Sequence, residues 1–459
     1  MTAALPLERP ELVSAIERPR WTCALGGALA AAGALPGVVP IMHSGPGCAA
    51  NFTWTQNGAS GLQVAGACAG LSLPGSNLQE SEVVFGGLDR LHEQIGNTLE
   101  IMAGDLYFVL TGCVPEVIGD DVESVVNEYA AAGRPVIFAS TAGFKGSSYF
   151  GYEQVLKTLF RQVVRPGGGA ARRKKLVNVL GVPPMMDVFW RGNLEGVRRL
   201  LALLGLEANV FFGPGASLDG IRDAARAGLN LVLSDVYGVE AAELFKELHG
   251  VDYLTIPLPF GAAASERFLR AVGQALRLPE KRVEAVIEAE GRRHYESLEP
   301  LIDVYNDMEA QRYAIVVGDA NYAWAVTDFL AEDMGWLPEL TVITDAFSGE
   351  ARDAYVRRRE ARGLYRPERV LFETAAAAII DAIDDSWRPE LWKKHHNGRL
   401  PAFVAGSSLE RPLAAALGAG HISLSFPVSN RAVITRGYTG YDGGLRLFED
   451  VLSSIIAMR

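Results

Sequence analysis

Short runs of β-branched and aromatic residues alternate with longer stretches of helical periodicity along most of this chain. The runs at 105–111, 135–139, 176–180, 208–212 and 230–234 have strand length, and the series continues through 253–256, 312–317, 340–344, 369–372, 402–405 and 421–425. Between them, apolar residues recur at helical spacing over 86–103, 191–204, 216–227, 264–276, 322–334 and 373–384. Strands alternating with helices of this length make βαβ units, whose strands lie parallel and are covered on both faces. The pattern predicts an α/β protein built of doubly wound, Rossmann-like parallel sheets.

Two interruptions divide the pattern. One is the run Pro166-Gly167-Gly168-Gly169, and the other is a long charged helix expected around 279–310, ahead of RYAIVVGDA. They suggest three α/β domains at 1–166, 170–310 and 311–459, the last carrying a C-terminal interface segment. A chain of 459 residues exceeds what one core supports, which agrees with several domains. In open α/β sheets, ligands bind outside the carboxyl ends of the strands, and Cys113 falls there, just after DLYFVLT. VVGDANYAWAV has the strand–Gly–helix form but lacks GxGxxG, so it is a weak dinucleotide signal. GFKGSS does not substitute for the missing GxxxxGK[ST], so the chain is not expected to hydrolyse ATP itself.

Composition narrows the partners. With 49% hydrophobic and 21% charged residues the chain reads as a well-buried globular protein, and its net charge of −11 argues against nucleic acid. The one basic clump, Arg172-Arg173-Lys174-Lys175, follows the glycine run and reads as solvated linker. The first residues show no basic segment leading into an apolar one, as a secretory signal would. Residues 24–42 have the length to span a bilayer, but Gly26, Gly27, Gly33, Pro36, Gly37 and Pro40 would break such a helix. They read as a buried loop and helical turn, and the expectation is a soluble cytoplasmic protein with no membrane partner.

The four cysteines, Cys23, Cys48, Cys68 and Cys113, all lie in the first quarter of the chain. Three stand in glycine- and threonine-rich turns: RPRWTCALGGA, HSGPGC and TGCVPEVIGDD. Two readings stand on spacing alone. Free Cys is commonly a small buried hydrophobe, whereas thiolates gathered at loops suit an iron–sulfur cluster, whose ligands are often distant in sequence. The absence of any CxxC pair excludes zinc fingers, small ferredoxin motifs and a redox CxxC site. Nothing marks the chain as secreted, which disfavours structural disulfides.

Together these motifs resemble the β-type subunit of nitrogenase component 1 over nearly the whole chain. TCALGGALAAAG resembles the family's first-cysteine loop, with Ala24-Leu25 in place of the usual Gln-Pro, and HSGPGC resembles its HGxxGC. FVLTGCVPEVIGDDV matches TTCxxEVIGDD, the most specific of the set. EVVFGGLDRL resembles the VFGG element, and SFPVSNRAVITRGYTGYDGGL the FPxxDR…GYxGA segment. The resemblance implies that Cys23, Cys48 and Cys113 are this subunit's ligands to an [8Fe-7S] P-cluster, or to a smaller cluster in the same place, shared with an α-type subunit. It implies an α₂β₂ heterotetramer and an ATP-dependent iron–sulfur reductase that docks transiently and passes electrons through the cluster to an active site on the α-type chain. No catalytic residue is assigned here, because the α-type active site needs a later cysteine and no Cys follows position 113. The departures mark a divergent branch, so the substrate is either dinitrogen or an organic methylthio compound, as in methylthio-alkane reductases. The alternatives are a cofactor-assembly scaffold subunit and the β-like chain of a chlorophyll-biosynthetic reductase, both poorer fits to three motif-matched cysteines.

The same resemblance sorts the remaining candidates. Cys68 matches no motif and reads as packing; His395 and His396 read as solvated, and His421 as a satisfied interior histidine. His43 is either a buttress to the cluster or simple loop packing. Phe85 lands on the family's apolar interface residue near the reductase, with an ordinary core Phe as the plain alternative. Asp120 and Asp121 read as helix N-caps without chemistry. Gly143 takes the place of a serine that ligates the oxidised cluster in typical members, leaving Ser147 or Ser148 as substitutes. Ser429-Asn430 replaces the usual Asp-containing pair.

Overall fold

The apolar runs become strands of three parallel sheets in the computed structural model, which describes residues 20–63, 73–166, 172–307, 312–391 and 403–457. The first unit comprises α1 (Ala24–Gly33), β1 (Val38–His43), α2 (Pro46–Ala59), α3 (Glu80–Phe85), α4 (Leu88–Ile101) and β2 (Leu106–Thr111). It continues with α5 (Cys113–Ile118), α6 (Val122–Ala131), β3 (Val136–Ala139) and α7 (Ser148–Gln162). Its strands run β1-β2-β3, with His43 opposite Thr111 and Leu110 opposite Ala139. The buried side chains of α4 and α6, including Leu91, Ile95 and Val126, pack with Val39, Tyr107 and Val109 on one face. Leu25, Ala28, Leu156 and Leu159 of α1 and α7 pack with Phe108 and Leu110 on the other.

Here the structure corrects one expectation. Residues 24–42 are not a loop and turn but the ten-residue α1 followed by β1. The glycines that argue against a membrane helix serve close packing: a Cβ on Gly27 would lie 1.8 Å from Ser148 O, and one on Gly151 1.9 Å from Ala24 O. Pro40 fits a strand because β1 is at the sheet edge. Met42 donates its N–H outward to Pro74 O at 2.9 Å, and Pro40, two residues earlier, points the same way, where its missing N–H breaks no ladder bond.

The middle sheet contains β4 (Arg173–Leu180), β5 (Glu207–Val210), β6 (Ala227–Val232) and β7 (Tyr253–Thr255), ordered β5-β4-β6-β7, with α8 (Trp190–Leu203) between β4 and β5. The third contains β8 (Tyr313–Gly318), β9 (Leu337–Ile343), β10 (Arg369–Phe372), β11 (Phe403–Gly406) and β12 (Gly420–Ser423), ordered β10-β9-β8-β11-β12. The helix expected over 216–227 is shorter, Leu218–Arg222 with a 3₁₀ turn at Ala224–Arg226. Side-chain amides take its carbonyls instead: Asn209 donates to Gly220 O and Asn178 to Ala224 O. Similarly, 322–334 is α-helical only to Asp328 and continues as a π-helical turn, Phe329–Asp333. The C-terminal helix Gly440–Ile456 returns to the middle unit, against α8 and the helices Gly261–Ala275 and Glu280–Leu298. Glycines permit that return: a Cβ on Gly437 would meet Gly192 C at 2.1 Å, and one on Gly444 would meet Gly261 Cα at 2.5 Å. No described helix is long and apolar enough to cross a membrane.

Buried polar groups join the units. Glu153 on α7 accepts N–H bonds from Gly238 and Ala241, and Asn321 donates from the third unit to Gly181 O at 2.9 Å. Asp319, directly after β8, accepts the Asn321 and Tyr322 N–H groups, both at 2.9 Å. Its carboxylate thus satisfies free N–H groups at the start of the helix Tyr322–Asp328. Asp345 after β9 accepts Ala320 N–H at 2.7 Å and the Tyr237 hydroxyl. Burial, then the charge of Asp319, pushes the Asp345 carboxyl up to about 7, and burial also raises Asp319. Tyr149 and Tyr237, stacked 4.0 Å apart, and Tyr355 face the pair, and among the described residues no cation is ion-paired to either carboxyl.

A carboxyl raised on folding holds its proton more tightly folded than unfolded. Its contribution to stability is therefore complete below the ordinary carboxylate range and is lost as pH rises through about 7. We expect the melting temperature to fall between about pH 4 and about pH 7 and to level off above that. Asp345→Asn, whose amide can donate to Tyr237 while its carbonyl accepts from Ala320, should flatten that fall. Calorimetry across the pH series checks both, and an unchanged slope in the variant would refute the assignment.

Candidate metal centre

Parallel pairing sets the carboxyl ends of β1, β2 and β3 side by side, and the cysteine loops leave from there. Cys48 follows β1 and lies in the first turn of α2; Cys113 follows β2 and is the first residue of α5. The two strand ends are tied by Gly112 N–H donating to His43 O at 2.8 Å. Only glycine fits at 112, because a Cβ there would come within 2.6 Å of Ser44 Cβ. Cys23 caps α1 and forms an antiparallel bridge with Ser147 in the loop after β3, reinforced by Ala24 N–H to Gly146 O and Ser148 N–H to Thr22 O. Each cysteine thus stands at a helix start.

The loop after β3 brings two of them together. A Cβ on Gly143 would lie 2.9 Å from Cys23 Sγ and 3.2 Å from Cys113 Sγ, so the backbone at 143 runs directly against both thiols. Cys48 is close enough that the charges of both raise its thiol, after burial, while a hydrogen bond from Ser44 opposes the rise. Cys113 is exposed and the other two are half-buried. No three His, Cys, Asp or Glu side chains among the described residues close round a single metal ion. Of the expected substitutes for the serine, Ser148 has a buried hydroxyl without a partner, and Ser147 meets Cys23 through its backbone.

Glu116, one turn beyond Cys113, holds that loop in place. Its carboxylate accepts from Thr111, from the Ser140 hydroxyl at 2.8 Å, from Ala142 N–H at 3.2 Å and from the Lys145 ammonium. Burial would raise this carboxyl, but the bonds from Lys145, Thr111 and Ser140 outweigh it and hold it below the usual range. Sequence reasoning missed Glu116; its position three residues after Cys113 was the available signal.

Asp120 is also not what motif reading suggests, and its partner is His43. Asp121 caps α6, accepting Ser124 N–H, but Asp120 turns inward. It accepts from His43 Nε2 at 3.0 Å and from Gly87 N–H at 3.0 and 3.2 Å. His43 Nδ1 meets Ser76 Oγ at 2.9 Å, and Ser76 Oγ accepts Ser44 N–H at 3.2 Å. His43 is fully buried, and that burial lowers its pKa against the opposing pull of Asp120. The expectation of an N-cap at Asp120 is therefore corrected.

Phe85 is 88% exposed at the end of α3, beside Val84 at 71% and Val83, and Val117 on the neighbouring α5 is 73% exposed. A core role for Phe85 is thereby excluded. His421 hydrogen-bonds Ser407 O at 2.9 Å, a satisfied interior histidine as expected. Asn430 accepts from Ser408 at 3.0 Å, and Ser429 N–H donates to the same hydroxyl. Cys68, His395 and His396 lie outside the described residues.

Comparison with known proteins agrees on one family. The family model described as nitrogenase component 1 type oxidoreductase matches residues 23–456. The nitrogenase molybdenum-iron protein beta chain of Frankia alni is 25% identical, over 95% of this chain and 82% of that one. The molybdenum-iron protein alpha chain of Methanothermobacter marburgensis is 24% identical, over 94% and 87%, and the vanadium-iron protein beta chain of Trichormus variabilis is 23% identical, over 96% and 94%. The solved structure of nitrogenase Cp1 at pH 6.5 superposes with a TM-score of 0.76 at 19% identity, covering 98% of this chain and 95% of that one.

Glu116→Ala should free the loop at 140–146 from α5. In the metal-free chain, alkylation of Cys23 should then be faster by about tenfold, consistent with a loss of about 1.4 kcal/mol of loop closure. Mass spectrometry of the labelled protein checks this, and wild-type kinetics in the variant would show that other contacts hold the loop.

Proposed function

The chain belongs to the nitrogenase component 1 type oxidoreductase family, and within it we propose a β-type subunit that relays electrons without carrying the active site. Cys23, Cys48 and Cys113 hold one side of an iron–sulfur cluster, a P-cluster or a smaller cluster in the same place, and an α-type partner supplies the remaining thiolates. The observation that carries this reading is the convergence of Cys23 and Cys113 on the Gly143 backbone, with Cys48 within electrostatic reach. The donor set fits the group: thiolates are the usual ligands of cluster iron, and exposed Cys113 leaves one side open to another chain. When bound, such a cluster supplies one-electron chemistry.

The protein's own residues supply placement. Thr111, Ser140 and Lys145 fix Glu116 and so the loop that lies against two thiols. The approach of the backbone at Gly143 leaves no room for a side-chain ligand at that position. Val83, Val84, Phe85 and Val117 form an apolar surface for an ATP-dependent reductase. The α-type chain would reduce dinitrogen or an organic methylthio compound in a cytoplasmic α₂β₂ complex. The three sheets suggest the division at 1–166, 170–310 and 311–459, with the C-terminal helix packed back on the middle unit.

In the complex with its α-type partner, Cys113→Ala should lose cluster iron and stop electron transfer. His421→Ala should keep both, at a stability cost of about 1 kcal/mol for one lost hydrogen bond. Metal analysis with single-turnover reduction decides: full iron in Cys113→Ala, or loss of the partner's cofactor in His421→Ala, would overturn the relay. Phe85→Asp should leave iron intact while weakening reductase binding, by about tenfold or more for one buried aromatic contact.

A further inference from the structure

Three elements meet at one buried carboxylate. Asp120 follows Gly119, the residue that ends α5 in a left-handed turn, and its own N–H donates to Pro115 O at 2.9 Å, so it moves with the helix that begins at Cys113. Both its oxygens accept the N–H of Gly87, two residues after Phe85, at 3.0 and 3.2 Å. One of them also accepts from His43 at the end of β1, five residues before Cys48. Beyond His43, Ser76 links the ring to the Ser44 N–H, four residues before Cys48. The packing has no slack: a Cβ on Gly87 would lie 2.7 Å from Asp120 Oδ2, 2.8 Å from Leu78 and 3.2 Å from His43 Cε1.

The pattern of Ser76, His43 and Asp120 has the order of a hydrolytic triad, but all three side chains are buried, so no substrate reaches them. The network is suited to transmitting position. We propose that Asp120 is a positioning residue that couples the exposed apolar end of α3 to the loops bearing Cys48 and Cys113. A partner pressing on Phe85 shifts Gly86 and Gly87. Gly87 cannot move without Asp120, and Asp120 cannot move without the end of α5 and the ring of His43. Every bond in the series is satisfied by a neutral His43 with its proton on Nε2, so displacement is carried by hydrogen bonds and packing with no change of charge. The inference rests on the reductase-docking reading of the Phe85 surface.

The test uses the complex with the α-type partner, the reductase, and the variant Asp120→Asn. The asparagine keeps an acceptor for Gly87 but turns an N–H₂ toward His43 Nε2, which breaks that link or forces the proton to Nδ1. Hydrogen exchange is measured over segments 79–87, 43–48 and 110–118, with and without reductase. In the wild type, docking should alter exchange in all three. In Asp120→Asn, which keeps the Gly87 bond and the backbone tie to α5, segments 79–87 and 110–118 should still respond and segment 43–48 should not. Iron content and reductase affinity should match the wild type, while electron transfer to the cluster slows by about tenfold, within the usual range of coupling between sites. If Asp120→Asn fails to assemble, His43→Leu keeps the Asp120–Gly87 bonds and cuts only the branch to β1, so segment 43–48 alone should fall silent. An unchanged response of segment 43–48 in the variant, or a loss of affinity that accounts for the slower transfer, would overturn the coupling. No response anywhere in the wild type would instead sink the docking reading and the coupling with it.

Discussion

The alignment of three parallel strand ends is the constraint on which the site depends. His43 is paired with Thr111 and Leu110 with Ala139, so the chain leaves β1, β2 and β3 at one level. Parallel pairing forces each strand to be followed by a crossover, and each crossover begins with a helix whose N-terminus points back at the sheet edge. Cys48 and Cys113 stand at two of those starts, and the third loop returns to meet Cys23 at the head of α1. Cysteines as much as 90 residues apart in sequence are brought together by two short ladders. A slip of one residue in either pairing would turn the side chains to opposite faces and separate them.

Close approach is the second requirement, and glycine meets it repeatedly. Gly27 and Gly151 let α1 and α7 come near enough that Cys23 reaches the loop after β3; Gly112 lets two strand ends touch; Gly143 puts backbone where a side chain would collide with two sulfurs. These contacts trade the conformational freedom of glycine in the unfolded chain for dispersion between backbones. The buried carboxylates of Glu116 and Asp120 then fix what the glycines allow, each gathering donors from separate segments.

Much of this was legible in the sequence, and what escaped did so for definite reasons. Strands β2 to β12 stood out because apolar runs bounded by turns carry their own signal. β1 did not, because Pro40 and the preceding glycines imitate a loop, and only its place at the sheet edge makes the proline harmless. The cysteine motifs marked Cys23, Cys48 and Cys113, whereas Glu116, His43 and Asp120 act through partners 24 to 77 residues away that no local pattern names. Phe85 was ambiguous for the same reason. A phenylalanine at a helix end reads alike in a core or on a surface, and only the packing of α3 decides that it faces outward.

The return of the C-terminal segment to the middle unit has a consequence for biosynthesis. Tyr438 N–H and the Thr439 hydroxyl bond to Asn193, and Gly437 and Gly444 nest against Gly192 and Gly261. Until the helix Gly440–Ile456 emerges from the ribosome, the apolar sides of α8 and of the helix Gly261–Ala275 that it covers stay open. The first unit can collapse early on its local contacts, but the unit translated second is completed last, across a sequence separation of about 245 residues. A nascent chain of this kind carries that uncovered apolar surface through the synthesis of the whole third unit, where it is open to wrong contacts.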